Sequence, residues 1–264
     1  MAYICNGTKI TFQLRYFIKL AYKGTNYHGW QVQPNAITVQ ELLAKSFSTV
    51  LRNKVEIVGA GRTDTGVHAE EFFAHVDIEN EFKVKEIIYK VNAVLPNDIV
   101  VYDIFKTAEN AHARFDATSR SYEYRIFLGK NPFLTETAWQ FMTTKLSVEK
   151  MNEAANILET YTNFKCFSRS NTDVRTYNCN IMDAAWKQTD QLLVFHITAD
   201  RFLRNMVRAI VGTLIEIGKG KMTLEEFKQI IESENRSNAG PSAPAHGLFL
   251  TQVAYPKTIF NNEQ

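Results

Sequence analysis

The chain has 264 residues, 45% hydrophobic and 12% aromatic, with 30 basic and 28 acidic side chains for a net charge of +2. That apolar fraction excludes a disordered chain and suits one large domain or two of about 100–150 residues. No apolar run approaches the ~18–20 residues of a membrane-spanning helix, and a pI near 8.3 neither announces nor excludes a nucleic-acid partner.

Three cysteines, Cys5, Cys166 and Cys179, with no C-x-x-C pair, argue against a disulfide framework and a cysteine zinc site. Residues 1–7 place no charged stretch ahead of an apolar segment, so no signal peptide is expected. The chain reads as cytoplasmic.

Leu14–Tyr22 alternates Tyr16, Ile18, Leu20 and Tyr22 with Arg15, Phe17, Lys19 and Ala21, the period of a strand. A loop with two glycines follows, Gly24-Thr25-Asn26-Tyr27-His28-Gly29-Trp30. Thr38 with Glu41 three residues on forms a capping box for a helix whose apolar face carries Val39, Leu42, Leu43, Phe47, Val50 and Leu51. Strands are predicted over 55–58, 72–78 and 99–105, with a helix from Val84 that stops at Pro96.

The order β-α-β-β-α-β then recurs. A strand is predicted over 121–128, a helix is capped by Ser147, strands fall at 181–187 and 192–198, and an amphipathic helix spans 202–217. An extra helix is capped by Thr223 and Glu226, and the last strand is Leu248–Ala254. The expected fold is therefore α/β (α+β): two ferredoxin-like βαββαβ halves with a mainly antiparallel sheet and a cleft between them, a natural ligand site. The halves are read as 1–110 and 111–264, with loose ends near 1–9 and 257–264.

The stretch Gly59-Ala60-Gly61-Arg62-Thr63-Asp64-Thr65-Gly66-Val67-His68-Ala69 is the most informative. Its glycines predict a tight loop between strands, where a rigid sheet can hold reactive groups. Asp64 stands two residues after Arg62, whose guanidinium favours the ionised carboxylate and so a nucleophile or general base. Asp64 also fits a turn residue capping its own backbone. An aspartic-protease reading needs a second such carboxylate to share one proton, and the chain has no second Asp-Thr-Gly or Asp-Ser-Gly. A phosphate loop is excluded because no Gly-Lys-Ser/Thr follows the glycines and a strand, not a helix, comes next.

Gly-Arg-Thr-Asp-Thr-Gly-Val-His-Ala resembles the active-site motif of the tRNA pseudouridine synthase A family. Other stretches match that family in order: Gly24-Thr25-x-Tyr27-x-Gly29-Trp30-Gln31-x-Gln33-Pro34-Asn35, Thr38-Val39-Gln40-Glu41, Asn92-x-x-Leu95-Pro96, Ala113-Arg114-Phe115, Tyr122-x-Tyr124, Phe202-Leu203-x-x-Met206-Val207-Arg208-x-Ile210-Val211-Gly212, and Ala243-Pro244-Ala245-x-Gly247-Leu248. The resemblance covers about residues 15–255. The segment before Leu14 and the acidic pair Glu70-Glu71 have no counterpart in these motifs.

The resemblance implies isomerisation of uridine to pseudouridine in the tRNA anticodon stem-loop, at positions 38–40 of the tRNA. It implies no cofactor, no metal and a homodimer. Asp64 is then the nucleophile, attacking C6 of the base or C1′ of the ribose, with Arg62 and the loop amides orienting it. A catalytically idle RNA-binding module on the same scaffold is the alternative.

A paired uridine must be flipped out of its helix to react. Tyr122, matching the family's active-site tyrosine, can stack on the flipped base. Arg208 matches its active-site arginine, expected to pair with Asp64 or a phosphate, and Leu248 matches the apolar floor of the uracil pocket, though it also fits an ordinary core leucine. Arg201 and Arg204 share a predicted helical face with Arg208 and are expected to meet the tRNA backbone. His28, Trp30 and Gln31 form a polar-aromatic loop that can touch RNA, though Trp30 taken alone is more often a packing anchor. Lys165, Arg169 and Arg175, against the single acid Asp173, suggest phosphate contacts, as do Arg114, Arg120 and Arg125. His68 and His75 are read as structural or RNA-facing.

Overall fold

The computed structural model describes residues 13–142, 145–170 and 174–260; Cys5, Asp173, the segment 1–9 and the last four residues lie outside them. In chain order the elements are β1 (Leu14–Tyr22), α1 (Val39–Leu51), β2 (Ile57–Gly59), β3 (His68–Ile78), α2 (Val84–Val94) and β4 (Ile99–Lys106). They continue with β5 (Ser119–Leu128), β6 (Trp139–Phe141), α3 (Val148–Leu158), β7 (Ile181–Thr189), β8 (Leu192–Ala199), α4 (Met206–Gly218), α5 (Leu224–Glu232) and β9 (Leu248–Ala254). The strands join in one mainly antiparallel open sheet of order β4-β1-β3-β9-β5-β8-β7, with β2 on β3 and β6 on β5. Taken separately, β4-β1-β3-β2 and β9-β5-β8-β7 repeat one strand order, as a repeated β-α-β-β-α-β chain requires.

Local sequence explains most boundaries. Ser147 accepts the Lys150 amide at the start of α3, and the Thr223–Glu226 capping box at α5 is complete in both directions. At α1 the Thr38 hydroxyl accepts the Glu41 amide. Apolar faces of α1 and α2 (Val39, Leu43, Phe47, Ile87, Val91) share a core with Ile18, Leu20 and Phe72. A second core joins Met151, Ile210, Leu214 and Phe227 to Tyr124, Ile126 and Phe195. Val67 packs into this second core, while Leu250 and Val253 of β9 pack into the first, so each core borrows residues across the middle of the sheet.

Four predictions need correction. The helix placed at 202–217 begins at Met206, because Asn205 takes a left-handed conformation (φ 66°) and the Asp200 carboxylate accepts the Arg201 amide at 2.7 Å. Such a residue cannot sit inside a right-handed helix. Arg201 and Arg204 therefore lie on the loop entering α4 rather than on its face.

The second correction concerns the end of the chain. Residues 257–259 form a 3-10 turn, Ile259 is buried, and Phe260 packs against Phe17, Phe73 and Tyr255. This aromatic cluster also buries Phe17. Third, β3 starts at His68 rather than 72, where it pairs with β9. Fourth, β6 was not expected; three residues are too short to show a period.

His75 on β3 stacks beside Phe17, and its Nδ1 accepts the Ala113 amide at 3.1 Å. Burial, with Arg15 and His112 nearby, pushes its pKa down to about 4; Asp77 and Asp116 oppose that shift only in part. The folded protein thus holds this imidazole neutral, while an unfolded histidine takes its proton near pH 6.5. Its contribution to stability is present above pH 6.5 and is lost as the pH falls from there toward 4. The urea midpoint of the wild type is expected to drop across that window. His75→Asn, which can keep the acceptor toward Ala113, should flatten the fall; an unchanged slope would refute the assignment.

Candidate active site

The loop bearing Asp64 leaves the sheet where β3 changes neighbours. β2 pairs with β3 from Ile57↔Val76 to Gly59↔Ala74, and β9 takes over on the same edge at His68↔Phe249 and Ala69↔Leu250. Residues 60–67 fill the gap between the two pairings. The loop is strapped on several sides. The buried Tyr22 hydroxyl shares a 2.9 Å hydrogen bond with the Thr63 hydroxyl. The Trp30 amide donates to the Thr63 carbonyl at 3.3 Å, the Gly66 amide to Tyr27 at 3.3 Å, and the Val67 amide to the Asp64 carbonyl at 3.1 Å.

Two glycines are required by this arrangement. Gly66 turns the chain at φ 78°, and a Cβ on Gly29 (φ 84°) would stand 2.3 Å from the Thr63 carbonyl oxygen. His68, next after the loop, ties it to two other segments: its Nδ1 accepts the Gly24 amide at 3.0 Å, and its Nε2 lies 3.1 Å from the His246 carbonyl. Burial lowers the His68 pKa, which suits a neutral ring that accepts at Nδ1 and donates at Nε2.

Asp64 is half-buried between two guanidiniums. Arg208 Nη1 is 3.5 Å from Oδ2, and Arg204 Nε is 3.7 Å from Oδ1. Both distances sit at the outer end of ion pairing, so the carboxylate is balanced without the close bidentate hydrogen bonding that would occupy its oxygens. Arg208 is fixed in turn, because its Nε donates to the Ala243 carbonyl at 2.7 Å. Arg62, expected beside Asp64, is exposed. The carboxylate's ion pairs come from α4 and its entry loop, because Thr63 is drawn inward to Tyr22 and the chain turns directly after Asp64.

Tyr122 on β5 is half-buried, with its ring edge-on to Phe202 at 5.1 Å. Burial raises its pKa to about 12, with Arg120 pulling down and the Asp64 charge pushing up. The phenol is therefore protonated at neutral pH, within electrostatic reach of the carboxylate. Leu248 is buried at the start of β9 and pairs in register with Tyr124. Tyr124 donates to the Pro244 carbonyl at 2.7 Å, so residues 243–248 lie close to both Arg208 and the loop. Asp64, Tyr122, Arg204 and Arg208 thus converge.

Other expected residues go elsewhere. Trp30 is 1% exposed and stacks on Phe72 at 4.2 Å, a core anchor and not a surface for RNA. A large indole between a turn and a strand is held there by apolar burial. His28 is exposed, while Gln31 is half-buried and donates to Gln40 at 2.9 Å.

Arg169 donates its backbone amide to the Arg204 carbonyl at 3.0 Å, which sets that segment beside the site. Lys165 pairs with Glu234 at 3.4 Å, and Arg114 and Arg175 are exposed. Arg125 is drawn inside: it pairs with Glu70 at 2.8 Å and Glu123 at 2.7 Å and lies 3.9 Å over Phe249. Arg120 makes four bonds to backbone carbonyls. Neither guanidinium faces outward for phosphate.

Two side chains not assigned from sequence now have partners. Glu70 joins β3 to β5 through Arg125. Glu71 pairs with Lys19 at 2.7 Å and accepts the Val253 amide of β9 at 3.1 Å. Both act across the middle of the sheet, and only strand register, which local sequence does not carry, could have revealed them.

Comparison with known proteins identifies the family. A family profile described as tRNA pseudouridine synthase, a class of RNA-modifying isomerase, matches residues 154–256. The chain is 52% identical to the tRNA pseudouridine synthase A of Bacteroides fragilis, over 93% of this chain and 98% of that one. It is 51% identical to the Porphyromonas gingivalis protein of the same name, over 93% and 99%. At 38% identity it also matches that of Acetivibrio thermocellus, over 89% and 97%. The chain belongs to the tRNA pseudouridine synthase A family. Among the described residues no helix is long and apolar enough to cross a membrane.

Proposed function

We propose that this tRNA pseudouridine synthase acts on uridines at positions 38–40 of the anticodon stem-loop, with Asp64 as the nucleophile. The carrying observation is the half-buried Asp64 carboxylate set 3.5 and 3.7 Å from two guanidiniums, with the protonated Tyr122 phenol within electrostatic reach. An oriented, partly desolvated carboxylate is a competent covalent catalyst, and two positive charges against one negative leave the site attractive to a polyanion. The target uridine is flipped in at a cost of a few kcal/mol. Tyr122 offers a stacking surface worth about 1–3 kcal/mol, and Leu248 supplies the apolar floor.

Asp64 attacks C6 of the base or C1′ of the ribose. The C1′–N1 bond breaks, the base turns while held in the pocket, C1′ joins C5, and the bond to Asp64 breaks to return the free carboxylate; C5 gives up its proton and N1 takes one up. Substrate and product are isomers, with one proton lost at C5 and one gained at N1 and no net oxidation or reduction, so no cofactor is called for. The protein works in the cytoplasm as a homodimer. Arg204 and the nearby Arg169 segment meet the tRNA backbone, with Arg201, Lys165 and the exposed His28 and Gln31 loop at the margin.

The test uses unmodified tRNA transcripts carrying uridines both in and outside the anticodon arm. After carbodiimide treatment, primer-extension stops are expected at positions 38–40 alone and should vanish when these are changed to cytidine. Stops confined to another arm would overturn the anticodon assignment. Tight tRNA binding with no stop anywhere would favour the idle binding module.

A further inference from the structure

We infer that Arg120 is a positioning residue for the reaction, a brace that sets the distance between the Asp64 loop and the arginines facing it. The inference rests on the reading of Asp64 as the nucleophile. Arg120 lies on β5, two residues before Tyr122 and on the same face of the strand. Its Nη1 donates to the carbonyls of Asp200 at 2.8 Å and Ala117 at 3.1 Å. Its Nη2 donates to those of Arg114 at 2.6 Å and Ala60 at 3.2 Å. All four terminal N–H groups of the guanidinium are thereby spoken for, each by a backbone carbonyl.

The carbonyls come from three separate places. Ala60 is the first residue of the loop that carries Asp64. Asp200 directly follows β8 and opens the loop that carries Arg204 into α4 and Arg208. Arg114 and Ala117 belong to the connection between β4 and β5. One planar fork therefore joins the base of the carboxylate's loop, the base of its partners' loop and the strand that holds Tyr122. Arg204 and Arg208 stand 3.5–3.7 Å from Asp64, a separation that side-chain contact alone does not fix, since neither pair is closely hydrogen-bonded. The brace fixes it from behind through the backbone.

The chemistry of the residue fits this task. Burial disfavours its charged form and lowers its pKa, with Tyr255, Tyr122 and Asp200 partly offsetting. Among the described residues no carboxylate pairs with it; carbonyl dipoles serve instead. A lysine in its place keeps the charge but presents three tetrahedral donors on a flexible stem and cannot reach four carbonyls in one plane.

The test compares Arg120→Lys and Arg120→Ala with wild type in single-turnover pseudouridine formation under saturating enzyme, alongside tRNA affinity at several salt concentrations. Misplacement of reacting groups by about 1 Å can cost about 100-fold in rate, and a loss of that order is expected for Arg120→Ala. Arg120→Lys is expected to lose at least about 10-fold. Affinity and its salt slope should stay as in wild type for both, and guanidinium ion should partly restore the Arg120→Ala rate.

Wild-type turnover in Arg120→Lys would overturn the brace. So would a loss that appears in affinity with a shallower salt slope, which marks a phosphate ligand. A third overturning result is a rate loss no larger than the fall in folded fraction seen by thermal melting. If Arg120→Ala does not fold, Arg120→Lys decides. Asp64→Asn is run in parallel: product from it overturns the nucleophile reading itself, whereas an active Arg120→Lys beside an inactive Asp64→Asn overturns the brace alone.

Discussion

Asp64→Asn is expected to bind tRNA and to lose pseudouridine formation by about 10⁴-fold or more, the scale seen when a covalent nucleophile is removed. The substitution is nearly isosteric, and the loop does not depend on the carboxylate for its shape. The Thr63 hydroxyl rests on Tyr22, the Trp30 and Gly66 amides hold the backbone, and the Asp64 carbonyl accepts the Val67 amide. The fold should therefore survive with an unchanged urea midpoint.

What the variant loses is the charged oxygen between Arg204 and Arg208. Those guanidiniums then face the polyanion without a counter-charge, so affinity should hold or tighten and fall more steeply with salt. Single-turnover primer-extension assays beside filter binding separate the two effects. Product at anything near the wild-type rate would sink the nucleophile reading, and a parallel collapse of affinity would make Asp64 a structural loop residue.

Local sequence carried a great deal of this molecule because its elements are long, periodic and punctuated. β1, α3 and β9 begin and end where alternation, the Ser147 cap and the glycine at 247 place them, and Thr223 with Glu226 starts α5 as a capping box should. Asp64 stood out as a candidate because its loop matches a family motif, since a glycine-rich loop with an acid, taken alone, fits a turn residue. Its partners were legible only in part: the family motif pointed to Arg208 beside Asp64 or a phosphate, whereas Arg204 was expected only on the tRNA backbone. Arg62 is nearest in sequence, yet chain turns and the Thr63–Tyr22 bond send it outward, while the true partners arrive from residues 204 and 208.

The arginine stripe read from helical spacing failed for a related reason. A single left-handed residue, Asn205, ends the periodicity, and Arg204 reaches Asp64 from a loop instead. At Trp30 the sequence left two roles open, RNA contact and packing anchor, and Phe72 stacked against it decides for the anchor. The C-terminal end was misread as loose, since the chain's final turn folds back over Phe17. Glu70, Glu71 and Arg120 act between strands that only the whole sheet brings together.

Arg208→Ala is expected to cut turnover by about 10²–10³-fold, in the range for removing one preorganised electrostatic partner from a reacting centre. Arg204→Ala is expected to act chiefly on binding. The two arginines flank the same carboxylate but are held differently. Arg208 is 21% exposed and anchored through Nε to the Ala243 carbonyl, so its Nη1 is presented to Asp64 before any substrate arrives. Arg204 is 57% exposed, which leaves it free to swing toward a phosphate.

Removing Arg204 should therefore weaken tRNA affinity a few-fold and reduce the salt slope by about one, with the rate at saturation little changed. Arg208→Lys should recover little of the lost rate, because one ammonium on a flexible stem cannot hold the Ala243 carbonyl and face Asp64 in the same geometry. Removing Arg208 also leaves that carbonyl unpaired, which costs about 1–3 kcal/mol and should lower the urea midpoint, whereas Arg204→Ala should not move it. Equal losses of affinity in the two variants, with turnover intact in both, would refute this division and make each a simple phosphate ligand.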